Sequence, residues 1–298
     1  MRSLALLYLF VVTFVLASCR PQAETSLHQS VGQHIQIKNS TIYYEIVGQG
    51  KPVMLFHAGY LNNDMWATLI DSLKEQFQFI ALDLPAHGKS VSRDTALMIA
   101  DVARAIIDKH KLGKVSVAGV SLGGGAALDF MLKFPDHVDK AVIVSSTVQG
   151  LNPDQPQDSV LFNFMRRIRG ALQAEDVEGG AEVFAQYWAE GPNRKKDELD
   201  SLVRNYVHDS ALENMTTHAF RNWQKYYYTN AVDELSRITN PVLIMVGDRD
   251  VDFILRSGEV MKSKIPNSVV IHYPNAGHML NMEEESRFAM DVERFLTQ

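Results

Sequence analysis

Lys114-Val115-Ser116-Val117-Ala118-Gly119-Val120-Ser121-Leu122-Gly123-Gly124-Gly125 is the stretch on which the reading of this chain turns. Residues 114–118 are a short β-branched run of the kind that forms a buried strand, and residues 122–134 carry a helical pattern closed by Pro135. Between them lies Gly-x-Ser-x-Gly, Gly119 to Gly123, with Ser121 at its centre. A serine on a sharp strand-to-helix turn is held in strained backbone geometry at the end of a sheet, and the flanking glycines let strand and helix approach without a Cβ in the way. A phosphate cradle of the P-loop type is the competing reading of a glycine-rich turn, and the lysine it requires is absent.

Working outward, short apolar runs recur at 52–57, 77–82, 140–145, 241–246 and 268–273, preceded by two alternating segments at 34–38 and 41–47 that read as a hairpin. Helical patterns fall between them at 62–75, 94–111, 252–264 and 281–296. Strands alternating with helices at this spacing predict an α/β fold, a mostly parallel central sheet covered by helices on both faces. The alternation stops at 149–232. This segment opens on a Pro/Asp/Gln loop and continues through helical stretches at 159–173, 176–190, 195–208 and 211–228, rich in aromatics such as Phe164, Phe184, Trp188, Tyr206 and Trp223. It reads as a helical cap inserted after the sixth strand, dividing the core into 34–148 and 233–298. Most of its aromatics are expected to pack the cap onto the core, the rest to line the cleft beneath it.

A serine hydroxyl is a weak nucleophile at neutral pH and needs a base, which in turn needs a third group to fix its tautomer. Two later strand ends supply candidates. The run at 241–246 leads into Gly247-Asp248-Arg249-Asp250, and the last strand leads into Asn275-Ala276-Gly277-His278. Open α/β sheets place their sites just beyond strand C-termini. Of the ten histidines, His278 is the one so placed after Asp250. Asp248 shares the acid turn and is the alternative carboxylate.

With these residues quoted, the sequence resembles the α/β-hydrolase-fold serine hydrolases of the capped esterase, lactonase and haloperoxidase-like group, over 34–298. The family's nucleophile motif falls on Gly119–Gly123, its acid turn on Gly247 to Asp250 and its histidine loop on Gly277-His278. Its Asp-x-x-x-His-Gly-x-Ser loop falls on Asp83 to Ser90, and its oxyanion loop on His57-Ala58-Gly59-Tyr60, where Ala58 replaces the usual glycine. The resemblance implies Ser121, Asp250 and His278 as catalytic residues and the backbone N–H groups of Gly59 and Leu122 as the oxyanion hole, with His57 and His87 buttressing their loops. It implies ester or lactone hydrolysis through an acyl-enzyme, with no cofactor and no metal. C–C bond hydrolysis, perhydrolysis and N-terminal proline removal use the same triad, and some members act as non-hydrolysing receptors. Ser121 separates the chain from dehalogenases and epoxide hydrolases of this architecture, which carry aspartate there.

Composition excludes other classes. The 298 residues carry 29 Lys+Arg against 35 Asp+Glu, a net charge of −6, with no basic stripe for a nucleic-acid backbone. One cysteine excludes a disulfide framework or Cys-rich zinc site. That cysteine, Cys19, closes an N-terminal leader in which Arg2 is the sole charge before an apolar run at 4–17. The run is shorter than the roughly 20 residues a membrane-spanning helix needs and has the layout of a signal peptide. Leu16-Ala17-Ser18-Cys19 resembles the lipobox of bacterial lipoproteins, implying removal of 1–18, lipidation of Cys19, a polar tether over 19–33 and an exported, membrane-anchored hydrolase facing the periplasm or cell exterior. Loss of 1–18 removes only Arg2 among the charges and takes the net charge to −7.

Overall fold

The structure is a computed structural model, and its described residues are 32–94, 96–153, 158–195, 198–217 and 230–298. The leader, Cys19 and most of the tether lie outside them, as do Phe220, Trp223 and Tyr226–Tyr228 of the insertion.

The described residues form a nine-stranded sheet: β1 (Gln33–Ile37), β2 (Ser40–Gly48), β3 (Lys51–Phe56), β4 (Phe77–Leu82), β5 (Val91–Ser92), β6 (Val115–Val120), β7 (Val138–Val144), β8 (Val242–Gly247) and β9 (Ser268–Tyr273). Their order is β1-β2-β4-β3-β6-β7-β8-β9, with β5 pairing only with β2. β1 and β2 form the antiparallel hairpin and β2 meets β4 antiparallel; every pair from β4 through β9 is parallel. Strand chemistry follows position. Edge strand β1 alternates half-buried and exposed residues, whereas all six residues of β6 and of β8 are buried. That is why the central strands read as unbroken apolar runs: both of their faces are covered.

One face carries α2 (Ile99–His110), α3 (Leu122–Lys133) and α8 (Asp252–Lys264), packed on Met54, Ile80, Val117 and Ile143. The other carries α1 (Ala67–Leu73) and α10 (Glu285–Thr297), packed on Leu55, Phe79, Val142 and Leu243. The register aligns Phe56 with Gly119, Gly119 with Ile143 and Gly247 with Tyr273. Consequently the loops after β3, β6, β8 and β9 emerge along one rim of the sheet, and each candidate catalytic or oxyanion residue lies on or directly after one of them.

Between β7 and β8 the described elements are all helical: α4 (Ser159–Gln173), α5 (Val177–Ala185) continued by a π-helical turn (Gln186–Glu190), α6 (Ser201–Thr217) and α7 (Ala231–Glu234). Three details differ from the sequence expectations. A single helix, α6, runs through Asp209-Ser210, where a break between 208 and 211 is expected, because Ser210 and Asn214 are buried and Asn214 donates to the Ser210 carbonyl at 2.9 Å. The helix expected from 94 starts at Ile99, because Asp94 makes a turn, accepting from Ala96 N–H at 2.9 Å. The last helical stretch splits at Glu284, whose φ of −125° separates α9 (Leu280–Glu283) from α10.

Candidate active site

Ser121 connects β6 to α3 with φ 55° and ψ −114°, a conformation strained for a residue with a side chain. The turn is fixed from both sides: Ser121 N–H donates to Val144 O at 2.9 Å, and Ser146 Oγ–H donates to Ser121 O at 3.0 Å. The flanking glycines are obligatory. A Cβ on Gly119 would lie 2.1 Å from Gly123 O, and one on Gly123 would lie 2.1 Å from Phe56 O. Removing both side chains lets α3 start directly against the strand ends, with Leu122 in its first turn, where helix N–H groups have no partner within the helix.

His278 follows β9 and Asp250 follows β8, and the two side chains meet. His278 Nδ1 lies 2.7 Å from Asp250 Oδ2, with 2% and 1% of the side chains exposed. The other carboxylate oxygen, Oδ1, accepts from Val251 N–H at 2.7 Å, so both oxygens are occupied. An ionised carboxylate only accepts, so the pair places the imidazole proton on Nδ1 and leaves the Nε2 lone pair free. Nε2 is buried without a hydrogen-bond partner among the described residues, and His278 and Ser121 line the same cavity. Asp248 turns the other way and pairs with His272 Nδ1 at 2.6 Å on the surface, with 40% and 48% of those side chains exposed.

Gly59 lies opposite the start of α3. A Cβ on Gly59 would sit 3.4 Å from the Leu122 side chain, so the two residues expected to form the oxyanion hole are neighbours. Ala58 fits where a glycine is usual because the left-handed residue of this loop is Tyr60, at φ 58°. The Ala58 N–H donates to Met65 Sδ at 3.2 Å. His57 Nδ1–H donates to Ala58 O at 2.7 Å, and its Nε2 accepts Leu84 N–H at 2.9 Å. Complete burial lowers the His57 pKa to about 4, so the ring stays neutral and keeps both bonds. The loop after β4 is tied by Asp83, which accepts Asn63 N–H and Lys89 N–H at 2.8 Å each, and whose pKa is raised by burial. His87 sits against His57, ring centroids 5.2 Å apart, and bonds Pro85 O rather than Ser121.

Four cap residues that the sequence did not single out reach into this rim. Asn214, buried on α6, uses its whole amide: Nδ2 donates to Tyr60 O at 2.9 Å, Leu61 O at 3.3 Å and Ser210 O at 2.9 Å, while Oδ1 accepts Gly88 N–H at 2.7 Å. The indole of Trp188, on the π-helical turn, lies over His278 with ring centroids 4.1 Å apart. Asn193 donates to Asp250 O at 2.8 Å. Arg194 pairs with Glu283 at 2.7 Å in a nearly buried contact, and Glu283 accepts the N–H of Gly277, the residue before His278, at 3.1 Å. Among these, only Trp188 carried a signal in the sequence, as one of many cap aromatics. The cavity beside them measures about 1210 Å³ and is bounded by Ser121, Leu122, Gly59, His278, Trp188 and the inner side of α4. Among the described residues no cluster of three or more His, Cys, Asp or Glu is arranged to hold a metal ion.

Comparison with known proteins gives a consistent result. The family model for the alpha/beta hydrolase fold matches residues 51–285. Among curated proteins, the chain is 28% identical over 244 residues to a pimeloyl-[acyl-carrier protein] methyl ester esterase of Nitrosomonas europaea, covering 80% of this chain and 93% of that one. It is 24% identical over 266 residues to a 2-hydroxy-6-oxononadienedioate/2-hydroxy-6-oxononatrienedioate hydrolase of Pseudomonas putida, covering 86% and 92%. Among solved structures, carboxylesterase CesB (YbfK) from Bacillus subtilis superposes with a TM-score of 0.72 over 90% of this chain and 92% of that chain, at 21% identity.

Proposed function

The chain belongs to the alpha/beta hydrolase fold family, and from that premise we propose that it is a serine hydrolase cleaving a small to medium carboxylic ester or lactone through an acyl-enzyme. The observation that carries this reading is the buried 2.7 Å pair of Asp250 and His278, whose Nε2, without a partner among the described residues, shares a cavity with Ser121. Ser121 Oγ attacks the carbonyl carbon as its proton passes to His278 Nε2. Asp250 stabilises the imidazolium that forms, and the N–H groups of Gly59 and Leu122 receive the tetrahedral oxyanion. Collapse breaks the C–O bond, with His278 returning the proton to the departing alkoxide. Water, deprotonated by the same Nε2, then attacks the acyl-Ser121 carbonyl and releases the acid. Trp188 lies where the positive charge develops, and a cation over an indole face is favourable by about 0.5–2 kcal/mol.

The esterase named among the relatives supports this bond class. C–C bond hydrolysis, perhydrolysis and peptide hydrolysis use the same three side chains and stand as the second reading. Turnover of p-nitrophenyl butyrate by the purified protein tests the proposal: many turnovers per molecule, lost in Ser121→Ala, are expected. A receptor of this fold gives at most one slow turnover, a result that removes the enzyme reading.

For location, the Arg2 leader, the apolar run at 4–17 and Leu16-Ala17-Ser18-Cys19 support export and lipidation at Cys19. Each acyl CH₂ buried in a bilayer contributes about 0.8 kcal/mol and stable anchoring takes more than one chain, which a diacylglyceryl group with an N-acyl chain satisfies. Metabolic labelling with an alkyne fatty acid is expected to mark the wild type and not Cys19→Ser; an unlabelled, freely soluble wild type contradicts the anchor.

A further inference from the structure

The cavity is larger than a short-chain ester requires. Small-molecule sites usually span about 300–1,000 Å³, and this one measures about 1210 Å³. Its long wall is the inner side of α4. Leu161, Phe164, Ile168 and Leu172 all face into it, and at 1.5 Å rise per residue they extend over roughly 16 Å of helix. Phe184 and Met215, from α5 and α6, supply apolar surface from other parts of the cap. This side of the cavity that Ser121 also lines is therefore a wall of hydrocarbon contacts.

Charge is distributed unevenly along it. Among the described lining residues, Arg169 is the only lysine or arginine. It is exposed, as are the acidic lining residues Glu175 and Asp176. In the interior, His87 Nδ1 is committed to Pro85 O and His278 Nδ1 to Asp250. No described interior residue offers a cationic partner to a carboxylate, and a charge taken from water into an apolar site without a partner is strongly disfavoured. During turnover the alcohol leaves first while the acyl group stays bonded to Ser121 until water attacks, so the acyl chain is the part of the substrate that remains in the cavity through both steps, and we assign the apolar wall to it.

Resting on the serine-hydrolase reading, we infer that the site takes neutral esters with an extended apolar acyl chain and rejects acyl groups carrying a carboxylate at their far end. Full burial of each added methylene corresponds to about a fourfold gain in kcat/KM as an upper limit.

The test measures kcat/KM of the purified full-length protein for p-nitrophenyl acetate, butyrate and octanoate, and for the mono-p-nitrophenyl ester of suberic acid, which matches octanoate in length and ends in a carboxylate. Octanoate is expected to exceed acetate at least 100-fold and the suberate half-ester at least 100-fold. A profile that peaks at acetate, or a half-ester within threefold of octanoate, overturns the inference while leaving the hydrolase reading intact. Absence of turnover on every ester removes both. Ile168→Arg places a cation within the apolar α4 wall and is expected to raise the suberate-to-octanoate ratio at least tenfold. Leu172→Arg, one turn farther along α4 and half-buried where Ile168 is buried, serves the same purpose if circular dichroism shows the first variant unfolded. An unchanged ratio in a folded variant contradicts the assignment of this wall to the acyl chain.

Discussion

Replacing Asp250 by Asn removes one negative charge and adds two N–H donors at a point where both carboxylate oxygens are in use. Oδ1 accepts Val251 N–H at 2.7 Å and Oδ2 faces His278 Nδ1 at 2.7 Å, with the side chains all but inaccessible to water. If the amide oxygen keeps Val251, the NH₂ group confronts Nδ1 and drives the imidazole to the tautomer with its proton on Nε2, which cannot accept a proton from Ser121. If the amide turns over, two donors face each other at Val251 and the imidazolium loses its counter-charge. The first outcome removes the base and the second leaves its imidazolium without a counter-charge, and the loss expected is about 10⁴ in kcat, or about 5.5 kcal/mol of transition-state stabilisation. Asp248→Asn is the matched control. Its carboxylate pairs with His272 at 2.6 Å where 40–48% of each side chain is exposed. Exposed pairs are worth about 0–1 kcal/mol, so kcat should change by less than about twofold. Hydrolysis of p-nitrophenyl butyrate by both variants, with urea unfolding to establish that each is folded, gives the ratio directly. Equal damage, reversed damage, or Asp250→Asn within tenfold of wild type refutes the assignment.

Asn214→Ala removes an acceptor from Gly88 N–H and the buried donor to Tyr60 O and Leu61 O. Each buried unsatisfied group costs about 1–3 kcal/mol, so urea unfolding should register a loss of at least about 2 kcal/mol; a shift below 0.5 kcal/mol excludes Asn214 as the tie between cap and oxyanion loop. Trp188→Leu removes the indole over His278 and should lower kcat by roughly 2- to 30-fold, with Trp188→Phe recovering part of the loss; identical kcat in Trp188→Leu excludes a role for the ring contact. His57 is held near pKa 4 by burial against 6.5 in the unfolded chain, so between those values the unfolded state binds a proton that the folded state refuses. Its contribution to stability is therefore intact above pH 6.5 and is lost as pH falls toward 4, by about 3 kcal/mol in total. Urea midpoints should drop between pH 7 and pH 5 with a smaller slope in His57→Gln; equal slopes contradict a neutral His57.

The elbow at Ser121 was legible because the chemistry forces the letters: Gly119 and Gly123 stand where any Cβ would strike backbone 2.1 Å away. The central strands were legible for a similarly local reason, since burial on both faces demands continuous apolar residues. The resemblance's spacing alone favours Asp250 over Asp248, and only the fold shows how the two differ: Asp250 pairs with His278 in the interior and Asp248 with His272 at the surface. Asn214, Asn193 and Arg194 were invisible for a different reason. Each acts across a contact that joins distant parts of the chain, 154 residues in the case of Asn214 and Tyr60, and nothing in their immediate neighbours marks a polar side chain as buried. The buried amide of Asn214 also explains the misplaced helix boundary at 208–211: polar letters that suggest a break are, in the fold, one face of α6 bonded to the loops beneath it. β5, at two residues, is too short to carry a period.

The most direct test of the central claim is the kcat of Ser121→Ala on p-nitrophenyl butyrate, measured on protein whose urea midpoint shows it folded. Removal of the nucleophile from a Ser-His-Asp arrangement is predicted to cost about 10⁴–10⁶ in kcat, leaving only what binding and the oxyanion donors supply. A folded Ser121→Ala protein that turns over within tenfold of wild type contradicts the account.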